Sequence, residues 1–174
     1  MLNIRNATYE DIDNVLNLYK DLIEKIKDDE HNPEWIYNVY PKECNIVNSI
    51  KSNELYVGEI DSNIVSSMVL NNTANKGFEN IKWKLDLNYD EVYVIHLLAV
   101  HPDYNKRGIG KRMVEYSFKK AEENSIKSIR LSIVKRNLPI ERFYNKFGFE
   151  YISSMEVYDE DRGHKFFKVY EKII

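Results

Sequence analysis

The chain has 174 residues, 43% hydrophobic and 30% charged, with six glycines and four prolines; this is the size of one domain, residues 1–174, and leaves no room for long disordered linkers. Its 25 Lys and Arg against 28 Asp and Glu give a net charge of -3, which excludes a nucleic-acid binder held by a general positive field, so any basic site must be local. The single cysteine, Cys44, excludes an internal disulfide framework, and no run approaches the roughly 18 apolar residues of a membrane span.

The opening MLNIRNATYED lacks the apolar core of a signal peptide, so the expectation is a cytoplasmic protein with no membrane partner. Residues 2 to 6 alternate as a short strand, and Thr8 stands at capping-box spacing from Asp11. Ile12, Val15, Leu16, Tyr19, Leu22, Ile23 and Ile26 then recur at helical spacing. WIYNVYPKECNIVNSIKS reads as a second, irregular helical element, in which Cys44 has no nearby His or basic motif to activate it and is a small structural thiol. LYVGEI and IVSSMVL, separated by Asp61, Ser62 and Asn63, form an antiparallel hairpin.

Residues 71 to 90 show no clean period and make a long excursion of the kind that carries function. EVYVIHLLAV, 91 to 100, is the most apolar run and reads as a central strand buried on both faces. A helix from Gly108 to about Glu123 follows, then the buried strand SIRLSIV. Asn137 can cap a helix carrying Ile140, Phe143, Tyr144 and Phe147 on one stripe, with Gly148 as its stop, and two strands close the chain. The order predicts a mixed α/β domain without internal repeats.

The turn HPDYNKRGIGK between the central strand and the helix is the most informative stretch. A turn leading into a helix N-terminus collects unpaired N–H groups and the positive end of the helix dipole, and glycine lets an anion approach them. Lys106, Arg107, Lys111 and Arg112 add positive charge around Gly108 and Gly110. The pattern reads as a phosphate cradle, but only Ile109 separates the glycines and position 113 is Met, so neither a Walker loop nor a dinucleotide fingerprint is present.

Strand LAV, this turn, an amphipathic helix, SIRLSIV and then N-x-P-x-x-x-F-Y-x-K-x-G-F together closely resemble the GNAT superfamily of N-acetyltransferases. The resemblance is strong over residues 91 to 151, and the opening NIRNATYEDID is similar to the family's first strand and helix. It implies one domain with a mixed sheet of about six or seven strands flanked by helices, strands four and five splayed apart. It also implies acetyl-CoA as co-substrate and no metal. Its pyrophosphate would lie on the amides of Lys106, Arg107, Gly108, Ile109, Gly110 and Lys111, and its pantetheine arm along Leu98, Ala99 and Val100. The family commonly has Gln or Arg where this chain has Asn105, so that side-chain contact departs from the pattern.

Acetyl transfer needs a deprotonated amine, a polarised carbonyl and a proton for the departing thiolate. Alkyl amines titrate near about 10.4, so a base or a water chain must act, and His96, whose ring type titrates near about 6.5, is the leading candidate. HLLAVH is similar to the corresponding strand of the serotonin-acetylating members, where a histidine at this position removes a proton through water. The alternative is a packed strand histidine, with Glu91 as the second candidate base and His101 a turn residue. Tyr144 matches the family's general acid and also falls on an apolar stripe. Asn137 matches an asparagine that holds the cofactor and equally suits a helix cap. Trp83, Tyr89, Trp35, Tyr37 and Tyr40 lie where the resemblance is weak, and with Asp86, Asp90 and Glu91 they could wall a small amine, the alternative for the aromatics being packing. The expected partner is a small-molecule amine, with a peptide amine as a wider option, no nucleic acid, and exposed final strands that leave room for a homodimer. The rival reading is an acyl-CoA-binding sensor or interaction module without turnover.

Overall fold

The first turn of the chain is set by one carboxylate. Asp11 accepts from the Thr8 N–H at 2.7 Å and the Thr8 hydroxyl at 3.2 Å, while the Arg5 guanidinium grips both its oxygens at 2.7 and 3.0 Å. The predicted capping residues thus open a single 3-10 turn that runs into the first helix. The Arg5 hydrogen bond is the main cause holding the Asp11 carboxyl below its usual range, against desolvation. A depressed folded pKa contributes stability above the unfolded value, near about 3.9, and loses it as pH falls through the folded one. Asp11→Asn is therefore expected to cost about 1 kcal/mol near neutral pH and to shrink the acid-side loss of stability below about pH 4, measured by urea unfolding across pH.

This computed structural model describes residues 1–174, with β1 (Asn3–Asn6), α1 (Ile12–Ile26), α2 (Glu43–Lys51), β2 (Leu55–Ile60), β3 (Asn63–Asn71), β4 (Val92–Val100), α3 (Ile109–Glu123), β5 (Ser128–Val134), α4 (Leu138–Asn145), β6 (Glu150–Asp159) and β7 (Gly163–Ile173). The strands form one seven-stranded sheet in the order β1-β2-β3-β4-β5-β7-β6. It is mixed: β4 and β5 run parallel, whereas β1 with β2, β2 with β3, β5 with β7 and β6 with β7 are antiparallel. No helix is long and apolar enough to cross a membrane.

The residues group in two compact units. The first comprises 1–28, 35–71 and 95–120, and the second 29–34, 72–94 and 121–174. In the first, Val15, Leu18 and Tyr19 of α1 and Ile46 and Ile50 of α2 pack on Leu55, Val57, Val69 and Ala99 of the strands. The β2–β3 turn places Asp61 and Ser62 both at positive φ, 49° and 64°, the mirror-image geometry that matches strand twist.

In the second unit, the excursion between β3 and β4 is anchored by individual side chains, which explains its lack of period. Phe78 is 1% exposed and packs with Val92, Val94 and Val169. Trp83 meets Phe78 edge-on at 5.0 Å, and its ring lies 4.2 Å below the Arg130 guanidinium. That guanidinium is itself buried, donating to Glu171 at 2.9 Å and to the Leu85 carbonyl at 2.9 Å. Glu171 also accepts from the Ser128 hydroxyl and the Lys84 amide, so one buried ion pair ties the excursion to β5 and β7.

Candidate active site

The parallel ladder between β4 and β5 runs only from Val92↔Ser128 to Val94↔Arg130. Beyond Val94, β4 takes no part in it, in keeping with the expected splay of strands four and five. The strand then breaks its pleat: Leu97 has φ 52°, a left-handed conformation that an L residue in a strand adopts only where surrounding contacts impose it. At this kink the phenol of Tyr19 in α1 donates to the Leu97 carbonyl at 2.6 Å and lies 3.3 Å from the Ser67 hydroxyl. Burial raises the Tyr19 pKa, so this donor stays protonated. The apolar stripe gave Tyr19 a core role only; its polar end could not be read without β4 beside it. The kink also changes burial, since His96, Leu97 and Leu98 are half-buried where a strand covered on both faces was expected.

After β4, His101 opens a 3-10 turn over Pro102–Tyr104, its ring accepting from the Asp103 amide at 3.3 Å, which is the turn role expected of it. The next residues alternate sharply, with Lys106 at φ 63° and Gly108 at φ 73°. Alternation of this kind turns successive N–H groups toward one side, and α3 begins at Ile109, adding the N–H groups of its first turn. The first main-chain bond of that helix runs from the Arg112 amide to the Gly108 carbonyl at 3.1 Å. A Cβ placed on Gly108 would meet no atom within 4 Å. The glycine's own side-chain position is therefore open. Of the four basic side chains, Arg107 stacks on Tyr104 at 4.8 Å, Arg112 donates to the Leu2 carbonyl at 2.9 Å and Lys111 pairs with Glu115 at 3.6 Å. Lys106 and Asn105 are exposed.

His96 is oriented by a short polar chain. Its Nε2 lies 3.0 Å from Asn71 Oδ1, and the other end of that amide donates to the Glu54 carboxylate at 2.8 Å. Neither Asn71 nor Glu54 was legible as a site residue, because Asn71 ends β3 and Glu54 lies just before β2, with no shared spacing.

The remaining sequence candidates lie in the second unit. Asn137 does cap α4, accepting from the Ile140 amide at 3.2 Å. Tyr144 is 5% exposed, set edge-on against Phe143 at 5.2 Å and Phe149 at 5.3 Å, and burial raises its pKa. The rest of its stripe is looser, with Ile140 40% exposed. Glu91 sits in a 3-10 turn just before β4 and is ion-paired with Lys127; that bond is the main cause lowering its pKa. A carboxylate so held is a poorer proton acceptor at neutral pH than one left alone. Trp83 serves the packing over Arg130, while Asp86 is exposed. No three His, Cys, Asp or Glu side chains gather in a metal-binding group.

The family model described as the acetyltransferase (GNAT) family matches residues 12–149. The chain belongs to this family. Solved structures of similar fold include a GNAT-family acetyltransferase of Streptococcus agalactiae, at 20% identity and TM-score 0.77, over 99% of this chain and 95% of that one. The ribosomal-protein-alanine N-acetyltransferase of Brucella melitensis is similar at 16% identity and TM-score 0.73, covering 99% of both chains. The yncA protein of Salmonella typhimurium, solved with its cofactor acetyl-CoA, is similar at 12% identity and TM-score 0.72, over 99% of this chain and 94% of that one. No curated protein matched the sequence. In this GNAT chain the strand kink, the glycine turn and the head of α3 follow one another in a single stretch.

Proposed function

We propose that this acetyltransferase is acetyl-CoA dependent and moves the acetyl group to a primary amine of a small molecule, or of a peptide, by direct transfer in a ternary complex. The observation that carries the reading is the turn at Gly108, where a left-handed backbone leads into the head of α3 with its N–H groups, and a Cβ on the glycine would meet no atom within 4 Å. The acetyl-CoA in the similar yncA structure supports the choice of ligand.

Acetyl-CoA supplies an activated thioester. The amides from Lys106 to Lys111 hold its pyrophosphate, Asn105 flanks them, and the β4 backbone at Leu98, Ala99 and Val100 pairs with the pantetheine, the Leu98 amide aimed at the thioester carbonyl. His96 accepts a proton from the substrate ammonium through water, leaving a neutral amine. As the new C–N bond forms and the C–S bond breaks, the sulfur takes a proton and the nitrogen loses its second one to water. Tyr144 is the proton donor in this reading: burial raises its pKa, which keeps the phenol protonated but makes proton transfer to the thiolate uphill, so the step draws on the stability of the amide product. Asn137 steadies the cofactor in addition to capping α4. Trp83, Asp86 and Glu91 remain the proposed wall for the amine.

Thiol release from acetyl-CoA with a panel of amines tests the reading. Turnover with at least one primary amine is expected, whereas tight acetyl-CoA binding with no acetylation of any amine or peptide would mark an acyl-CoA-binding module instead. Tyr144→Phe is expected to lower kcat at least about tenfold with little change in acetyl-CoA affinity, measured by steady-state kinetics and calorimetry. Full activity would remove the acid role.

A further inference from the structure

The amide of Asn71 has two different ends, and its neighbours decide which faces which. Glu54 presents a carboxylate oxygen 2.8 Å from Asn71 Nδ2, and an ionised carboxylate can only accept. Turning the amide over would set Oδ1 against that carboxylate, acceptor to acceptor. Oδ1 therefore faces His96, 3.0 Å from Nε2, and an amide oxygen also only accepts. In the neutral ring the proton must then sit on Nε2, and the lone pair on Nδ1. The chain is rooted in backbone as well: the Leu70 amide donates to the Glu54 carbonyl at 2.9 Å, one residue before Asn71, so the two side chains are held to adjacent strands.

We infer that Glu54 and Asn71 are positioning residues that hold His96 in its Nε2–H tautomer and make Nδ1 the proton-accepting atom. The inference rests on His96 as the base of the proposed transfer. When Nδ1 takes the ammonium proton, the ring becomes an imidazolium whose Nε2–H still donates to Asn71 Oδ1, now as a charge-assisted bond. Glu54, through the same amide, polarises that oxygen and favours the charged ring. The partnership resembles in logic a carboxylate orienting a catalytic imidazole, with an amide placed between them.

The test begins with 15N-labelled protein and no substrate, at a pH where the ring is neutral, reading the imidazole nitrogens by long-range 1H–15N correlation. Wild type is expected to show a pyrrole-type Nε2 and a pyridine-type Nδ1 at His96. Glu54→Gln removes the demand for a donor and is expected to give a mixture of tautomers, as is Asn71→Leu. With a turned-over amine, both variants are expected to lose roughly tenfold in kcat with KM for acetyl-CoA unchanged. A wild-type Nδ1–H tautomer, or variants with wild-type spectra and kcat, would overturn the inference. The spectra need no acetyl transfer, so a protein that acetylates nothing yet shows the Nε2–H ring would sink the proposed function while leaving the tautomer assignment standing. Glu54→Gln keeps the side chain's size and secures the comparison if Asn71→Leu fails to fold.

Discussion

Gly108→Glu is expected to weaken acetyl-CoA binding by more than about a hundredfold, measured by isothermal titration calorimetry, while the protein still folds. A Cβ at this position meets no atom within 4 Å, so the main local penalty is the left-handed backbone at φ 73°. That penalty is about 1–2 kcal/mol for a residue with a Cβ. The ligand loses far more. A carboxylate about 4 Å from a pyrophosphate charge is unfavourable by roughly 4 kcal/mol at the effective dielectric of a protein surface, and each 1.4 kcal/mol is about tenfold in affinity. Gly163→Glu isolates the backbone contribution. Gly163 has φ 71° and likewise no atom within 4 Å of a Cβ, but it opens β7 just after the β6–β7 turn. It is expected to show the same fall in stability and wild-type affinity. Equal affinity in Gly108→Glu and wild type would remove the cradle from the proposed site.

How far the sequence carried the fold and the site depended on whether each feature was local. The hairpin at Asp61 and Ser62, the cap at Asn137, the stop at Gly148 and the glycine turn are each written in a few adjacent residues, and all are found where their spacing put them. Seven strands and four helices likewise follow from period and punctuation, although the second helix occupies only Glu43–Lys51 of the stretch 35–52 and an isolated bridge joins Ile36 to Tyr40 before it. The features that were not legible are made by partners far apart in the chain. Leu97 is an ordinary apolar residue in an apolar run, and its left-handed backbone is accompanied by a hydrogen bond to its carbonyl from Tyr19, 78 positions away. Asn71 ends β3 and reads as turn chemistry until Glu54 and His96 are set on either side of it.

The excursion between β3 and β4 gives the opposite lesson. Trp83, Asp86 and Glu91 drew attention as aromatic and acidic residues without a period, and two of the three also carry structural work in this unit: Trp83 under Arg130 and Glu91 against Lys127. The clue lay elsewhere in the chain, at Arg130 within SIRLSIV. A cation in the middle of an otherwise apolar strand has to find a buried anion and donors' partners, and it finds them in Glu171 and the Leu85 carbonyl.

Arg130→Met should therefore be the most damaging single change to stability. Arg130 and Glu171 are each 1% exposed, and no water-facing route relieves the charge left behind when one is removed. Glu171 would keep the Ser128 hydroxyl at 2.9 Å and the Lys84 amide at 2.8 Å, but no cation. Breaking such a pair costs about 3–5 kcal/mol, which for a chain of this size lowers Tm by roughly 10 °C or more. The loss should be accompanied by loosening of the excursion, because the same guanidinium holds the Leu85 carbonyl and caps the Trp83 ring; Trp83 fluorescence should shift to longer wavelength before the main unfolding transition. Removing both charges separates the two contributions. Arg130→Met with Glu171→Leu no longer strands a charge, so it is expected to recover most of the lost stability, although Ser128 and the Lys84 amide lose an acceptor. A single variant that melts within about 1 kcal/mol of wild type would mean that the pair is not closed to water and that packing alone holds the excursion in place.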